Sequence, residues 1–130
     1  MRAYTVATTA LALDVDAKWI DNLLSHHKLP GVARSQRGVR RRIPPRSVFM
    51  IALARSLGVE LSIPLHRALE IAIELESRQA VEYRISDLLT FRIDRDRFHS
   101  ELSRRLDDAA EIAAVPQRGR PPRLSTGSRP

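Results

Sequence analysis

The segment TVATTALALDVDAKWIDNLL, residues 5–24, decides the fold because it contains two short helical patterns separated by an acidic break. Thr5 is a suitable N-cap for a first helix over about 6–13. The break Asp14-Val15-Asp16 follows, and Asp16 can cap a second helix over about 17–27. Two short helices joined by a tight turn predict a helix-turn-helix unit.

A short basic hairpin is predicted directly after this unit. Pro30-Gly31 ends the second helical segment, and two extended stretches, 32–34 and 39–43, flank a turn that contains Gly38. Six arginines and no acidic residue lie between residues 34 and 46. A hairpin in this position is the wing of a winged helix-turn-helix, and its charge favours contact with a polyanion.

Three further helices are expected in the rest of the chain. The stretch 48–54 is apolar nearly all round, which predicts a buried helix over about 45–57 that ends at Gly58. The later patterns predict a helix over about 63–78, a strand over 88–93 with a second strand possible around 81–85, and a last helix over about 95–114 capped by Asp94. The predicted fold class is therefore mainly α: a winged helix-turn-helix with a short wing hairpin, followed by a strand-helix extension for dimerisation.

The charge of the chain is segregated along its length. Residues 1–58 carry ten Lys/Arg and three acids, residues 59–115 eight Arg and twelve acids, and residues 116–130 four Arg and no acid. Two basic segments thus flank an acidic middle, a distribution that favours a nucleic-acid partner because each neutralised phosphate releases counterions. The Pro-, Gly- and Arg-rich segment 116–130 cannot bury enough apolar surface to fold alone and is predicted to be a disordered tail.

Several classes of function are disfavoured by what the sequence lacks. It has no cysteine, which excludes disulfides and thiolate metal sites. It also has no HExxH motif, no Gly-rich phosphate loop and no acidic pair with a supporting base. His26 and His27 stand at a predicted helix end, where a capping role is favoured over metal binding. We expect no enzyme activity, no cofactor and no metal, and we expect a cytoplasmic, nucleoid-associated protein with no membrane partner.

The segment from Tyr4 to about Leu61 resembles the DNA-binding domain of MerR-type regulators and the related excisionases. The resemblance is carried by Tyr4-Thr5-Val6, Ala10, Leu13 and Val15, then Leu29-Pro30-Gly31-Val32, Gly38-Val39-Arg40-Arg41-Arg42-Ile43, and Gly58-Val59. It implies a second helix in the major groove and a wing on the backbone or the minor groove. The long dimerisation helix of MerR regulators is not evident, so the resemblance does not extend to an effector pocket.

Carried over by position, the resemblance implies two groups of DNA-binding residues. The second helix contributes Lys18, Trp19 and Asn22, although packing against the core is the favoured role for Trp19. The wing contributes Arg34, Arg37, Arg40, Arg41 and Arg42. Asp21 and Asn22 stand where MerR members often have Arg and an aromatic residue, so the pattern of base contacts differs from theirs.

The tail carries a second resemblance, to the AT-hook. Its core is Arg118-Gly119-Arg120-Pro121, in which Gly and Pro keep the chain extended. Arg118 and Arg120 would lie along a narrow A·T-rich minor groove.

We divide the chain into a DNA-binding domain (1–61), an oligomerisation or partner region (62–115) and the tail (116–130). A homodimer is expected through pairing of the strand 88–93 with its copy, using the apolar residues Leu89, Phe91, Ile93, Phe98 and Leu102. The leading hypothesis is a sequence-specific double-stranded DNA-binding transcriptional regulator. One alternative is an antitoxin that regulates its own operon and binds a toxin through residues 80–115. Another is an excisionase-like or nucleoid-type protein that bends DNA.

Overall fold

The computed structural model describes residues 2–32 and 41–114, and this part of the chain is mainly helical. Its elements, in chain order, are β1 (Tyr4–Thr5), α1 (Val6–Leu13), α2 (Ala17–His26), β2 (Arg42–Ile43), α3 (Pro45–Leu61), α4 (Leu65–Arg78), β3 (Glu82–Arg84), β4 (Thr90–Arg92) and α5 (Arg95–Ala114). The predicted mainly α class is confirmed. Most of the predicted wing hairpin (residues 33–40) and the predicted tail (116–130) lie outside the described residues, so both stay predictions.

The first two helices form where the sequence predicts them. The backbone N–H of Thr8 donates to Oγ1 of Thr5 at 3.0 Å, which confirms Thr5 as the N-cap of α1. Asp14 ends α1 in the left-handed conformation, at φ 56°, and turns the chain toward α2. Asp16 occupies the N-cap position of α2, but its side chain makes no capping hydrogen bond.

A strand that the sequence did not predict holds the start of α1. Tyr4 and Thr5 form β1, which pairs antiparallel with β2 so that Tyr4 lies opposite Ile43. Ile43 is fully buried, and this pair therefore fastens the N-terminus to the core. A two-residue strand at the N-terminus carries no periodic signal, which is why the sequence pattern could not reveal it.

The end of α3 differs from the prediction. The helix does not end at Gly58 but continues to Leu61, and Ser62 takes the left-handed conformation at φ 59°. The N–H of Ser62 bonds to the carbonyl oxygen of Gly58 at 3.0 Å, so Gly58 lies in the last turn of the helix. Pro64 follows two residues later and cannot continue the helix.

The turn before β2 depends on Gly31. This residue has φ 78°, and a Cβ built on it would lie 2.9 Å from Cγ of Pro44. The hydroxyl of the buried Ser47 donates to the carbonyl oxygen of Pro30, which fastens the same turn to the start of α3. The turn thus needs glycine for its backbone conformation and for its close approach to Pro44.

One hydrophobic core connects the two regions that the sequence analysis separated at residue 61. α3 packs on α4, and α5 returns to pack against α1. The apolar stripe of α5 (Leu102, Leu106 and Ala109) belongs to the same buried cluster as Leu13 and Ile51. Leu102 is only 4% exposed in the single chain, so it offers no free surface to a second copy.

Residues 81–93 form a β-hairpin that contains both of the strands the sequence considered. β3 and β4 are antiparallel, with Tyr83 opposite Phe91, and the two rings stack at 5.8 Å between centroids. The Arg67 guanidinium of α4 lies 5.7 Å from the Tyr83 ring centroid and also bonds to Glu70 at 3.3 Å. The Glu70 hydrogen bond raises the pKa of Arg67 above its ordinary value.

A buried carboxylate joins three helices. Glu76 of α4 is 3% exposed, and its two oxygens contact Nη2 of Arg95 at 3.0 Å and Nε2 of His99 at 2.6 Å. The His99 ring stacks on Phe49 of α3 at 4.0 Å. No local sequence pattern pairs Glu76 with Arg95 and His99, because 19 and 23 positions separate them from it.

No helix in the described ranges is long and apolar enough to cross a bilayer.

Replacing Gly31 with Ala should lower the free energy of unfolding by about 1–3 kcal/mol, because a side chain is strained at positive φ and meets Pro44. Gly58→Ala is the matched control. Its Cβ would lie at an ordinary 3.5 Å from the carbonyl oxygen of Ile63, and a helical glycine costs about 0.5–1 kcal/mol relative to Ala, so this variant should be more stable. Urea unfolding of both proteins measures the difference, and equal effects would contradict the role of Gly31.

Replacing Glu76 with Ala should lower the free energy of unfolding by about 2–4 kcal/mol, because Arg95 and His99 lose their common partner in a largely buried place. Glu74→Ala is the control on the same helix. Glu74 makes a 2.8 Å ion pair with Arg78, but both side chains are well exposed. Loss of this ion pair should lower the free energy of unfolding by less than about 1 kcal/mol. Thermal or urea unfolding of the two variants tests this, and a small effect at both positions would show that the Glu76 cluster contributes little.

Candidate nucleic-acid interface

The exposed face of α2 is polar and carries two of the predicted DNA-binding residues. α2 buries Ile20 and Leu23 in the core. The side chains on its other faces include Lys18, Asn22 and Ser25, which are exposed. Because the buried stripe is narrow, α2 lies on the surface of the fold with most of its circumference available to a partner.

Trp19 is placed differently from Lys18 and Asn22. It is half-buried and packs against the core, which is the role that the sequence analysis favoured. The guanidinium of Arg55 on α3 lies 6.0 Å from its ring centroid. Trp19 therefore helps to fix the angle of α2 on α3, and only part of its ring is available to a ligand.

Arg41 clamps the start of β2 to α2. Its guanidinium donates to the backbone oxygen of Asp21 at 3.1 Å and to Oγ of Ser25 at 3.2 Å. It also lies 3.7 Å from the Asp21 carboxylate, and its side chain is only 12% exposed. The planar fork of arginine suits this divided contact. Arg41 was predicted to contact DNA, and in the folded chain its guanidinium bonds to α2.

Arg42 is the neighbouring residue and is exposed. It lies on β2 opposite Thr5 of β1, and alternation along a strand directs its side chain away from the buried Ile43 that follows. Arg42 therefore presents its charge to solvent on the outer side of β2. The exposed Arg2, whose guanidinium lies 5.4 Å from the ring of Tyr4 in β1, adds a further charge near this sheet.

The acidic residues of this region lie at the turn and under the clamp. Asp14 and Asp16 are exposed at the two ends of the α1–α2 turn, and Asp21 faces Arg41. Pairing with Arg41 offsets the charge of Asp21, the acid nearest to Asn22 in the sequence. The exposed side chains of this region thus include the cations Lys18 and Arg42 and the polar Asn22 and Ser25.

Five of the predicted DNA-binding residues lie outside the described part of the chain: Arg34, Arg37, Arg40, Arg118 and Arg120. The first three lie within the seven residues before Arg41. Their assignment to DNA contact, and that of the tail pair, stays a prediction.

Metal binding needs several ligating side chains in one place, and residues 2–32 and 41–114 contain His, Asp and Glu side chains of the suitable type. Within those ranges no group of three or more His, Asp or Glu side chains is arranged to hold a metal ion. The Nδ1 nitrogen of His26 lies 2.8 Å from the carbonyl oxygen of Asn22 and donates to it, a bond that helps to cap α2. Comparison of the chain with protein-family models, curated proteins and solved structures finds no match.

The clamp is tested by a charge-conserving change. Arg41→Lys keeps the positive charge but cannot bridge the Asp21 carbonyl and Ser25 together, so it should lower the free energy of unfolding by about 0.5–1.5 kcal/mol. Arg42→Lys makes the same change on the exposed neighbour and should lie within about 0.5 kcal/mol of the wild type. Urea unfolding measures both, and equal values would show that Arg41 does not act as a clamp.

Proposed function

We propose that this chain is a sequence-specific, double-stranded DNA-binding transcriptional regulator of the winged helix-turn-helix type. In this proposal α2 is the recognition helix in the major groove. The basic segment that ends at Arg42 is the wing, which contacts the phosphate backbone or the minor groove.

The observation that carries the proposal is the Arg41 clamp. A recognition helix must present base-contacting side chains at a fixed angle relative to the residues that hold the phosphates. The bonds from Arg41 to Asp21 and Ser25 fix the position of β2 on α2. A positively charged strand and the polar face of α2 are thereby held as one rigid surface.

The side chains on that surface have distinct tasks in the proposal. Asn22 can donate to and accept from an adenine edge through its amide, which makes it the residue for base readout. Lys18 and Arg42 supply charge to phosphates, and Arg41 acts by positioning α2. The tail residues Arg118 and Arg120 would add minor-groove contacts, as their resemblance to an AT-hook implies.

The proposal also includes a homodimer, because a single α2 covers too few base pairs to specify one site among many. Two copies would place two α2 helices on half-sites about one helical turn apart. The antitoxin and DNA-bending hypotheses share this DNA-binding surface and differ in what the rest of the chain does.

The test is binding of the full chain to a duplex selected from a random-sequence pool, compared with unrelated duplex across a salt series. Specific binding should exceed non-specific binding by about a thousand-fold or more, and both should fall as salt rises. Asn22→Ala should reduce that ratio by about tenfold, because one base contact is worth about 1–3 kcal/mol. Lys18→Ala should weaken binding to both duplexes and lower the salt slope by about 1.

Arg104→Ala is the control. It removes the same positive charge from α5, where Arg104 is exposed and pairs with Glu101 and Asp108, and it should leave both affinities unchanged. Equal binding of the wild type to both duplexes, with strong bending, would replace the regulator with an architectural protein. No binding to either duplex at low salt would contradict the proposal altogether.

A further inference from the structure

Among residues 2–32 and 41–114, no strand pairs with the outer edge of β4. The N–H of Ile85 donates to the carbonyl oxygen of Leu89, and the N–H of Ile93 donates to that of Val81, both at 2.8 Å. These bonds show which residue pairs of the β3–β4 hairpin are hydrogen-bonded and which, in alternation, are not. Under that alternation the N–H and C=O groups of Thr90 and Arg92 point away from β3. An edge of this kind is a template for pairing with a further strand.

An apolar groove of about 670 Å³ lies beside this edge. Phe91 and Ile93 of β4 border it, and its walls come from α3 and α5, chiefly through Leu53, Leu57, Leu61 and Phe98. Directly before β4, Leu88 is 92% exposed and Leu89 is 60% exposed. An open strand edge together with this much exposed apolar surface marks a place where another chain docks.

We infer that β4 pairs antiparallel with β4 of a second copy of this chain, about a two-fold axis that passes through Phe91. Thr90 of each copy then exchanges backbone hydrogen bonds with Arg92 of the other. Leu89 stands opposite Ile93, and the two Phe91 rings stand opposite each other. The apolar side chains of each added strand enter the groove of the other copy.

The strand itself argues for a second copy as the occupant. Leu89, Phe91 and Ile93 share the groove side of the hairpin because side chains alternate along a strand. Antiparallel pairing centred on Phe91 matches each of these apolar residues with another apolar residue. An axis displaced to Arg92 would place two arginines directly opposite each other, which is destabilising.

The inference deepens the proposed function, since two α2 helices on one duplex require two copies held together. The sequence analysis placed Leu102 in the dimer interface, but Leu102 is buried in the core of the single chain. Leu61 of α3 lines the groove instead. The resulting four-stranded sheet would be more stable than the isolated hairpin, which is marginal by itself. Its test needs no DNA and is therefore separate from the test of DNA binding.

The experiment uses the full chain and two proline variants. Thr90→Pro removes an N–H that points to the open edge and leaves the β3–β4 hydrogen bonds in place. Arg84→Pro is the matched control, because Arg84 is the cross-strand partner of Thr90 and its N–H points to the opposite edge. Light scattering with size-exclusion chromatography at tens of micromolar should give a dimer for the wild type and for Arg84→Pro, and a monomer for Thr90→Pro. Circular dichroism shows that each variant remains folded.

Leu89→Arg gives a second test that leaves the backbone unchanged. It places a charge opposite Ile93 of the other copy and should raise the dimer dissociation constant by about tenfold or more. A wild-type chain that is monomeric at this concentration would overturn the inference, whether or not a different protein occupies the groove. A dimer that survives both Thr90→Pro and Leu89→Arg would overturn it as well. Loss of the dimer with binding to a DNA half-site retained would support it, while a wild-type dimer that binds no DNA would contradict only the proposed function.

Discussion

The burial of α3 is the constraint on which the rest of the fold depends. Val48, Met50 and Ile51 are fully buried, and most of the helix from Ser47 to Leu57 has no face that is left to water. A helix that is apolar nearly all round has to be covered from several directions. α4 covers it along one side, and α1 and α5 close the same core around it. Deleting α5 would therefore expose the core of the N-terminal region too.

This arrangement leaves α2 at the surface and explains why the candidate interface can be both exposed and rigid. α2 buries Ile20 and Leu23 and packs on α1. Two further contacts hold it in place: Trp19 lies near Arg55 of α3, and Arg41, just before β2, bonds to Asp21 and Ser25. The Arg41 guanidinium is thus engaged in contacts within the protein. The neighbouring Arg42 keeps its charge available to a partner.

The acidic region, residues 62–114, contains both side chains that stabilise the core and a strand edge that makes no hydrogen bonds to the described residues. Glu76 connects α4 to α5 through Arg95 and His99. Its position in an acidic segment of the sequence suggests an exposed side chain, but the carboxylate is buried and stabilises the packing of the two helices. The β3–β4 hairpin is held to α4 mainly by Tyr83 and Arg67, and its β4 edge is left open. Self-association through that edge would give the acidic region a role that leaves free the basic surface proposed to bind DNA.

The sequence by itself determined the features that depend on neighbouring residues. The N-cap at Thr5, the break at Asp14 and the buried pattern of α3 are local signals, because hydrogen bonds and apolar spacing within one or two turns define a helix. The end of α3 was misplaced since Gly58 and Ser62 can each end a helix, and packing beyond the last turn decides between them. Only the tertiary structure decided that β1 pairs with β2, that Arg41 bonds to α2, that Glu76 is buried with Arg95 and His99, and that Leu102 belongs to the core. Each of these contacts joins residues far apart in the chain, and the energy that selects them comes from burial in the folded state, which a one-dimensional pattern does not contain.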